Sequence, residues 1–326
     1  ATIPDYRAAT HAVNRDLDHL RALGVEVRHN QEVGRDLSLE SLRSEGFSSI
    51  VIAVGARNGL RLGIEGEDCE GVLDGLDFLR EARNGNPPRL GKKIGVIGGG
   101  DVAMDCSRTA CRLADGTVTV FYRRTRAEMP AQKEELLDLF DEGGTLEELM
   151  APGRIFVTDG LLTSVEMSMM RLGEPDQSGR RRPEPIAGGE REVELDTLIV
   201  AIGQRPDFSL LGGQNVKLNP SGYFDVDPVT LETSLPDVYA GGDVIGDGPS
   251  NIGKACGDGR IIAEAIIARH RGGTEMTEPV CGWPVFDTTE LLKRRARIEQ
   301  RVAIPHLEPA QRRGFAEVMI TLSQDD

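Results

Sequence analysis

Two short stretches of this chain carry residue types able to hold a dinucleotide: Gly98-Gly99-Gly100-Asp101-Val102-Ala103 and Tyr239-Ala240-Gly241-Gly242-Asp243. The first lies between an apolar run, Ile94-Gly95-Val96-Ile97, and an amphipathic stretch over residues 102–113. That placement turns a common spacing into a specific one. Gly98 permits a tight strand-to-helix turn, Gly100 lets backbone approach a pyrophosphate, and Ala103 lets the helix pack close to the strand. The helix N-terminus then aims N–H groups and the positive end of its dipole at the phosphates. Asp101 stands where it can cap the helix or orient a ribose or the nicotinamide.

The end of the next strand chooses the nucleotide. It reads Val120-Phe121-Tyr122-Arg123-Arg124-Thr125-Arg126, with no acid at its tip. An acid there would bind a free ribose 2′-OH, whereas a guanidinium grips a 2′-phosphate in a bidentate, charge-assisted way. Arg123 and Arg124 therefore favour NADP, while a basic turn stacked on adenine would accept NAD as well. Leu198-Ile199-Val200-Ala201-Ile202-Gly203 is a buried strand ending in Ala201-x-Gly203, and Val51 to Gly55 has the same character. The pair reads as entry to and exit from the nicotinamide domain.

The second stretch places Asp243 at the end of a buried strand, where its carboxylate can accept a hydrogen bond from a ribityl hydroxyl. Gly242 leaves room for the ligand. Asn251 and Ile252 open a long helix over residues 252–269, whose first amides can stabilise negative charge developing on a reduced flavin. Read alone, Gly-Gly-Asp is a turn and Ser250 or Asn251 an N-cap. In this order with the other motifs, the stretch points to FAD.

The positioning elements follow from periodicity. Residues 11–23 predict a helix with Val13, Leu17, Leu20 and Leu23 on one face, stopped by Gly24. Val25-Glu26-Val27 predicts a short strand, residues 37–46 a short amphipathic segment, and residues 49–55 a buried strand. Residues 118–122 predict the second strand of a βαβ unit, and residues 134–140 a helix. Residues 163–172 and 192–201 predict strands flanking a polar, Gly- and Pro-rich tip at 173–189. Arg180, Arg181 and Arg182 there read as a solvated turn. Short strands are expected over 223–226 and 238–240. The expected division is a flavin-domain segment over 1–90, a nicotinamide domain over 91–205, a return to the flavin domain over 206–270, and a C-terminal tail over 271–326. The fold class is α/β, a two-dinucleotide-binding-domain flavoprotein fold of flavin disulfide-reductase type. The glycine-rich βαβ unit that normally begins a flavin site does not precede residue 90, so the chain reads as the interior of a larger protein.

Composition narrows the class further. The 326 residues allow two domains and a substantial core. A net charge of −15 argues against nucleic acid or an anionic membrane as main partner. The five cysteines, Cys69, Cys106, Cys111, Cys256 and Cys281, show no CxxC or metal-ligand spacing, which suits a reducing, cytoplasmic setting. Cys256 reads as a packed small residue rather than a redox partner. No apolar run is long enough to insert into a membrane.

The chain resembles the glutamate synthase small (beta) subunit family, which includes the flavin portion of dihydropyrimidine dehydrogenase. The matching stretches include Ile3-Pro4-x-Tyr6-Arg7, Ile97 to Asp105, Tyr122-Arg123-Arg124, Glu128-Met129-Pro130-Ala131, Gly173-Glu174-Pro175-Asp176 with Gly179-Arg180-Arg181-Arg182-Pro183, Val200 to Asp207 and Ala240 to Asp243. The resemblance implies hydride exchange between NAD(P)H and FAD, with electrons passing through iron–sulfur clusters to a redox partner subunit or domain. The cluster ligands would lie outside this sequence. Two other readings stay open: a stand-alone NAD(P)H oxidoreductase acting on a small molecule, and a nucleotide-binding subunit without catalysis.

Overall fold

A computed structural model describes residues 2–175, 179–246, 251–272, 289, 293, 305–312, 314–315 and 317–319. The first elements are α1 (Thr10–Ala22), α2 (Leu39–Ser44), β1 (Ile50–Ile52), β2 (Asn58–Gly59), β3 (Val72–Asp74) and α3 (Gly75–Arg83). Then come β4 (Lys93–Ile97), α4 (Asp101–Leu113), β5 (Thr117–Tyr122), α5 (Lys133–Asp141) and β6 (Thr145–Glu148). The last are β7 (Met150–Thr158), β8 (Leu161–Pro175), β9 (Arg181–Glu194), β10 (Thr197–Val200), β11 (Gln204–Arg205), β12 (Val238–Ala240) and α6 (Ile252–His270). They form two units. One holds the described residues of Ala1–Val25, Gly59–Gln204 and Ile304–Asp326, the other those of Glu26–Asn58 and Arg205–Ala303.

The first unit is built on a parallel sheet of order β3-β10-β4-β5-β6. Its central strands are apolar in consecutive positions because both faces are covered. Side chains alternate between the faces. Val96, Val120 and Ile199 pack with Phe78, Met104 and Ala110 of the helices. Ile97, Phe121 and Leu198 meet Ile155, Val165 and Met167 of an antiparallel meander, β7-β8-β9.

This arrangement departs from the linear division in three places. Residues 59–90 belong with the parallel sheet of the first unit, because β3 pairs with β10 and α3 packs beside α4. Residues 192–201 form two strands in different sheets. The corner between β9 and β10 is held by Asp196, whose carboxylate accepts the Lys92 and Lys93 amides at 2.8 and 3.0 Å. The ladder also runs into the expected tip, as far as Pro175 opposite Arg181. Val25-Glu26-Val27 is exposed and forms no strand.

The described residues of the expected tail from 305 onward belong to the first unit. Val318 is buried, and its backbone bonds both Tyr6 and Leu307. Tyr6 lies under the guanidinium groups of Arg108 and Arg112, 4.9 and 4.0 Å from its ring centre. Around it runs a chain of ion pairs. Arg7 meets Asp105 (2.9 Å) and Glu135 (3.0 Å), and Arg108 meets Glu135, Asp138 and Glu142. Arg112 meets Glu142 (2.7 Å), and Arg312 meets Asp138 (2.9 Å).

Burial pushes the Asp105 carboxyl up to about 6, although Arg7 opposes the shift; Glu135 and Asp101 reinforce it. Its ordinary value is 3.8, so the folded state holds this proton more tightly than the unfolded state. Its contribution to stability is therefore full below the unfolded value and declines as pH rises from about 4 to about 6. We expect denaturant unfolding of Asp105→Asn to lose that part of the wild-type pH slope. An unchanged difference between the two proteins at pH 4 and 7 would refute the assignment.

In the second unit β1 pairs in parallel with β12, Ile50 opposite Val238 and Ile52 opposite Ala240. Ile52, Phe224, Val238, Tyr239 and Ile262 share its core. The residue 49–55 run was expected to be buried, but Val51 and Val54 are about half exposed while Ile52 is 3% exposed. A strand with one described neighbour and one packed face buries alternate residues only. Residues 223–226 contribute isolated bridges, Leu218 to Phe224 and Val226 to Thr233, rather than a strand. α2 begins at a reciprocal cap between Ser38 and Ser41. Most of residues 271–326 lie outside the described set.

Candidate functional site

The order of the first sheet reverses beside β4: β5 and β6 lie on one side, β10 and β3 on the other. Ligands of open α/β sheets bind beyond the carboxyl ends of the strands at such a switch point. Gly98 through Ala103 and Ala201 occupy that position. The Ala201 amide donates to the Ile97 carbonyl at 2.8 Å, joining the ends of β4 and β10.

The three glycines of the turn do different work. Gly98 has φ +148°, and a Cβ there would collide with the Ala201 carbonyl and come within 3.1 Å of the Ala103 side chain. A Cβ on Gly99 would enter the Tyr122 ring. Gly100 is extended (φ −99°), and a Cβ there would meet only Pro130, at 3.9 Å. The space above Gly100 is therefore open, as close approach of a pyrophosphate requires. Ala103 and Met104 donate back to the Gly100 carbonyl, so the amides before them have no helical partner. Val102 is half-buried and Ala103 fully buried beneath this turn. Asp101 starts α4, and its carboxylate accepts the Gln132 amide at 3.1 Å, tying the loop after β5 to the glycine turn.

The two arginines at the end of β5 are placed differently. Arg123 is exposed. Arg124 is 5% exposed, and its Nε donates to the Arg181 carbonyl at 2.7 Å. Glu128 forms a reciprocal cap with Thr125, accepting the Thr125 amide at 3.2 Å. Gly203, at φ +136°, accepts the Leu60 amide at 2.9 Å.

In the second unit Gly242 has φ +76° and lies two residues after the end of β12, with half-buried Asp243 next. Asn251 caps α6 by accepting the Lys254 amide at 2.8 Å, and Ile252 is 64% exposed. The Ile252 and Gly253 amides stand at the tip of a 19-residue helix without helical partners. An exposed helix tip near a turn that needs glycine suits the anionic part of a dinucleotide. Cys256 is exposed rather than packed.

Sequence reasoning missed two carboxylates. Asp258 is buried, accepts the Gly242 amide at 2.8 Å and pairs with Lys254 at 2.8 Å. The i, i+4 spacing of Lys254 and Asp258 was the available signal. Asp74 caps α3 through the Leu76 and Asp77 amides, against Gly59. No sequence pattern marks that approach across chain-distant residues. Among the described residues there is no group of three or more His, Cys, Asp or Glu that could hold a metal ion, and no helix is long and apolar enough to cross a membrane.

Residues 21–142 and 168–259 match the pyridine nucleotide-disulphide oxidoreductase family. The chain belongs to that family. It is 38% identical to the NADP(+)-dependent formate dehydrogenase subunit beta of Moorella thermoacetica, over 83% of this chain and 38% of that protein. It is 36% identical to the NADPH-Fe(3+) oxidoreductase subunit beta of Geobacter sulfurreducens, over 97% and 50% respectively. With the glutamate synthase [NADPH] small chain of Escherichia coli it shares 34% identity, over 81% and 59%. The chain thus spans from about two-fifths to three-fifths of these relatives' lengths. Among solved structures it is similar to Mycobacterium tuberculosis FprA in complex with NADPH, with a TM-score of 0.67 at 17% identity, over 91% of this chain and 79% of that one. That likeness bears on fold, and it agrees with the two-dinucleotide-binding architecture expected from the motifs.

Proposed function

We infer that this chain is an NAD(P)H- and FAD-binding oxidoreductase module. The observation that carries the reading is the open space above Gly100 at the sheet's switch point, beneath the unpaired amides of α4. In this reading Gly98, Gly100, Asp101, Val102 and Ala103 seat the pyrophosphate, and Ala201 and Gly203 line the adjacent edge. Arg123 and Arg124 serve the ribose 2′-phosphate of NADP. Gly242, Asp243, Asn251 and Ile252 hold the flavin.

The residues' task is positioning. The flavin, when bound, supplies a two-electron acceptor for hydride, and such chemistry needs aligned donor and acceptor more than a protein acid or base. The amides of α4 hold negative phosphate charge. Those of Ile252 and Gly253 favour negative charge beside the tip of α6.

The first reading is a stand-alone NAD(P)H oxidoreductase acting on a small molecule. Transfer through iron–sulfur clusters to a partner subunit is the second reading, favoured by the relatives whose names describe subunits. A cytoplasmic setting belongs to either. The test is the visible spectrum of the full-length native protein, before and after anaerobic NADPH and then NADH. A band near about 450 nm that bleaches with nicotinamide is expected. A shoulder persisting beneath it would favour the second reading. A colourless protein that still binds NADPH would overturn the flavoenzyme reading.

A further inference from the structure

Arg180, Arg181 and Arg182 read in sequence as a solvated turn, yet Arg181 is built into the first unit beside the end of β5. β8 and β9 run far beyond the core that the meander shares with the sheet. Where they pass the end of β5, three prolines stand in the ladder: Pro175 opposite Arg181, Pro183 opposite Leu172 and Pro185 opposite Met170. Proline has no N–H to give a neighbouring strand, and guanidinium groups serve the carbonyls at this level instead. Arg181 donates from Nη2 to the Leu172 carbonyl (2.8 Å) and from Nε to the Gly173 carbonyl (3.1 Å). Its own carbonyl accepts Nε of Arg124 at 2.7 Å. The register shift between Leu172 and Pro175 lies in the same place, where a bulge can re-aim a group away from the ladder. Behind Arg124, its carbonyl accepts the Leu149 amide at 3.1 Å, and the Leu149 carbonyl accepts the Met170 amide at 2.8 Å. Arg124 is thus attached to the meander at both backbone and side chain.

We propose that Arg181 is a positioning residue for nucleotide selection: it staples the β8–β9 hairpin so that its carbonyl fixes Arg124, and with it the Arg123-Arg124 turn that grips a ribose 2′-phosphate. The proposal rests on the assignment of that turn to NADP. Its physical basis is preorganisation. A long arginine side chain held before the ligand arrives loses less freedom on binding than one that must be ordered then. The contribution falls on the 2′-phosphate alone, because the pyrophosphate is held by the glycine turn.

The experiment measures binding of 2′,5′-ADP and 5′-AMP to the full-length protein by calorimetry. The proteins compared are wild type, Arg181→Ala, Arg181→Lys, Arg124→Lys and the Arg181→Ala/Arg124→Lys double variant. Wild type should prefer 2′,5′-ADP. Arg181→Ala should weaken 2′,5′-ADP by about fivefold to tenfold and leave 5′-AMP unchanged, with Arg181→Lys recovering part of the loss. In the Arg124→Lys background, removing Arg181 should add little, the mark of two residues acting through one another. Equal losses for both ligands would make Arg181 merely structural and overturn the proposal. So would an unchanged preference in Arg181→Ala, or a full loss persisting in the double variant. A wild-type protein that binds the two ligands equally would overturn the NADP assignment itself.

Discussion

Gly100→Ala will weaken binding of the nicotinamide dinucleotide by about 10²-fold, equivalent to roughly 2.7 kcal/mol, while leaving stability unchanged. Gly98→Ala will instead unfold the protein more easily, by about 2–5 kcal/mol. The two glycines are two residues apart and face different demands. At Gly100 the backbone is extended and a Cβ meets only Pro130 at 3.9 Å, so a methyl group costs the fold nothing and fills ligand space. At Gly98 the φ of +148° disfavours any L side chain, and a Cβ collides with the carbonyl of Ala201, the residue whose amide joins β10 to β4. Nucleotide titration and denaturant unfolding of both variants separate the two cases. If Gly100→Ala binds normally, the pyrophosphate does not approach at this turn.

Arg108→Met will cost about 3–5 kcal/mol of stability, because removing one partner of a buried ion pair leaves the others uncompensated. The arginines of the network are Arg7, Arg108, Arg112 and Arg312, and its acids are Asp105, Glu135, Asp138 and Glu142. Charge is balanced among these residues, and the Arg108 side chain is only 2% exposed. Its loss leaves the Glu142 and Glu135 carboxylates in excess in a region that excludes water. Pairing it with Glu142→Gln restores the balance and should recover part of the loss. Unfolding of the single and double variants by urea measures both. A double variant no better than Arg108→Met would show that packing around the Tyr6 ring, rather than charge, governs the site.

The glycine turn between β4 and α4 was legible in sequence because its rule is local. A strand, two glycines, a small residue and a helix must follow one another within about ten residues for backbone to meet phosphate, and Gly98, Gly100 and Ala103 satisfy that rule without reference to the rest of the chain. The same holds for the Asn251 cap of α6, set by one side chain and an amide three residues on. Periodicity likewise located α1, α4 and α5 to within a few residues.

What tertiary structure decided involves partners distant in sequence. The membership of residues 59–90 depends on β3 finding β10, over a hundred residues later. The break at Leu195-Asp196 arises because two sheets claim adjacent pieces of one stretch, residues 192–201. Arg123 and Arg124 are the same residue type in adjacent positions, yet one is exposed and the other is fixed by Arg181, 57 residues on. Tyr6, Arg108 and Arg312 share one ionic cluster although they are spread across nearly the whole chain. The sequence by itself determined where backbone can bend and which faces are apolar, since sterics and periodicity act over a few residues. Which polar side chains are buried together was settled only by folding, because their desolvation must be offset by whatever charged groups the topology brings within reach.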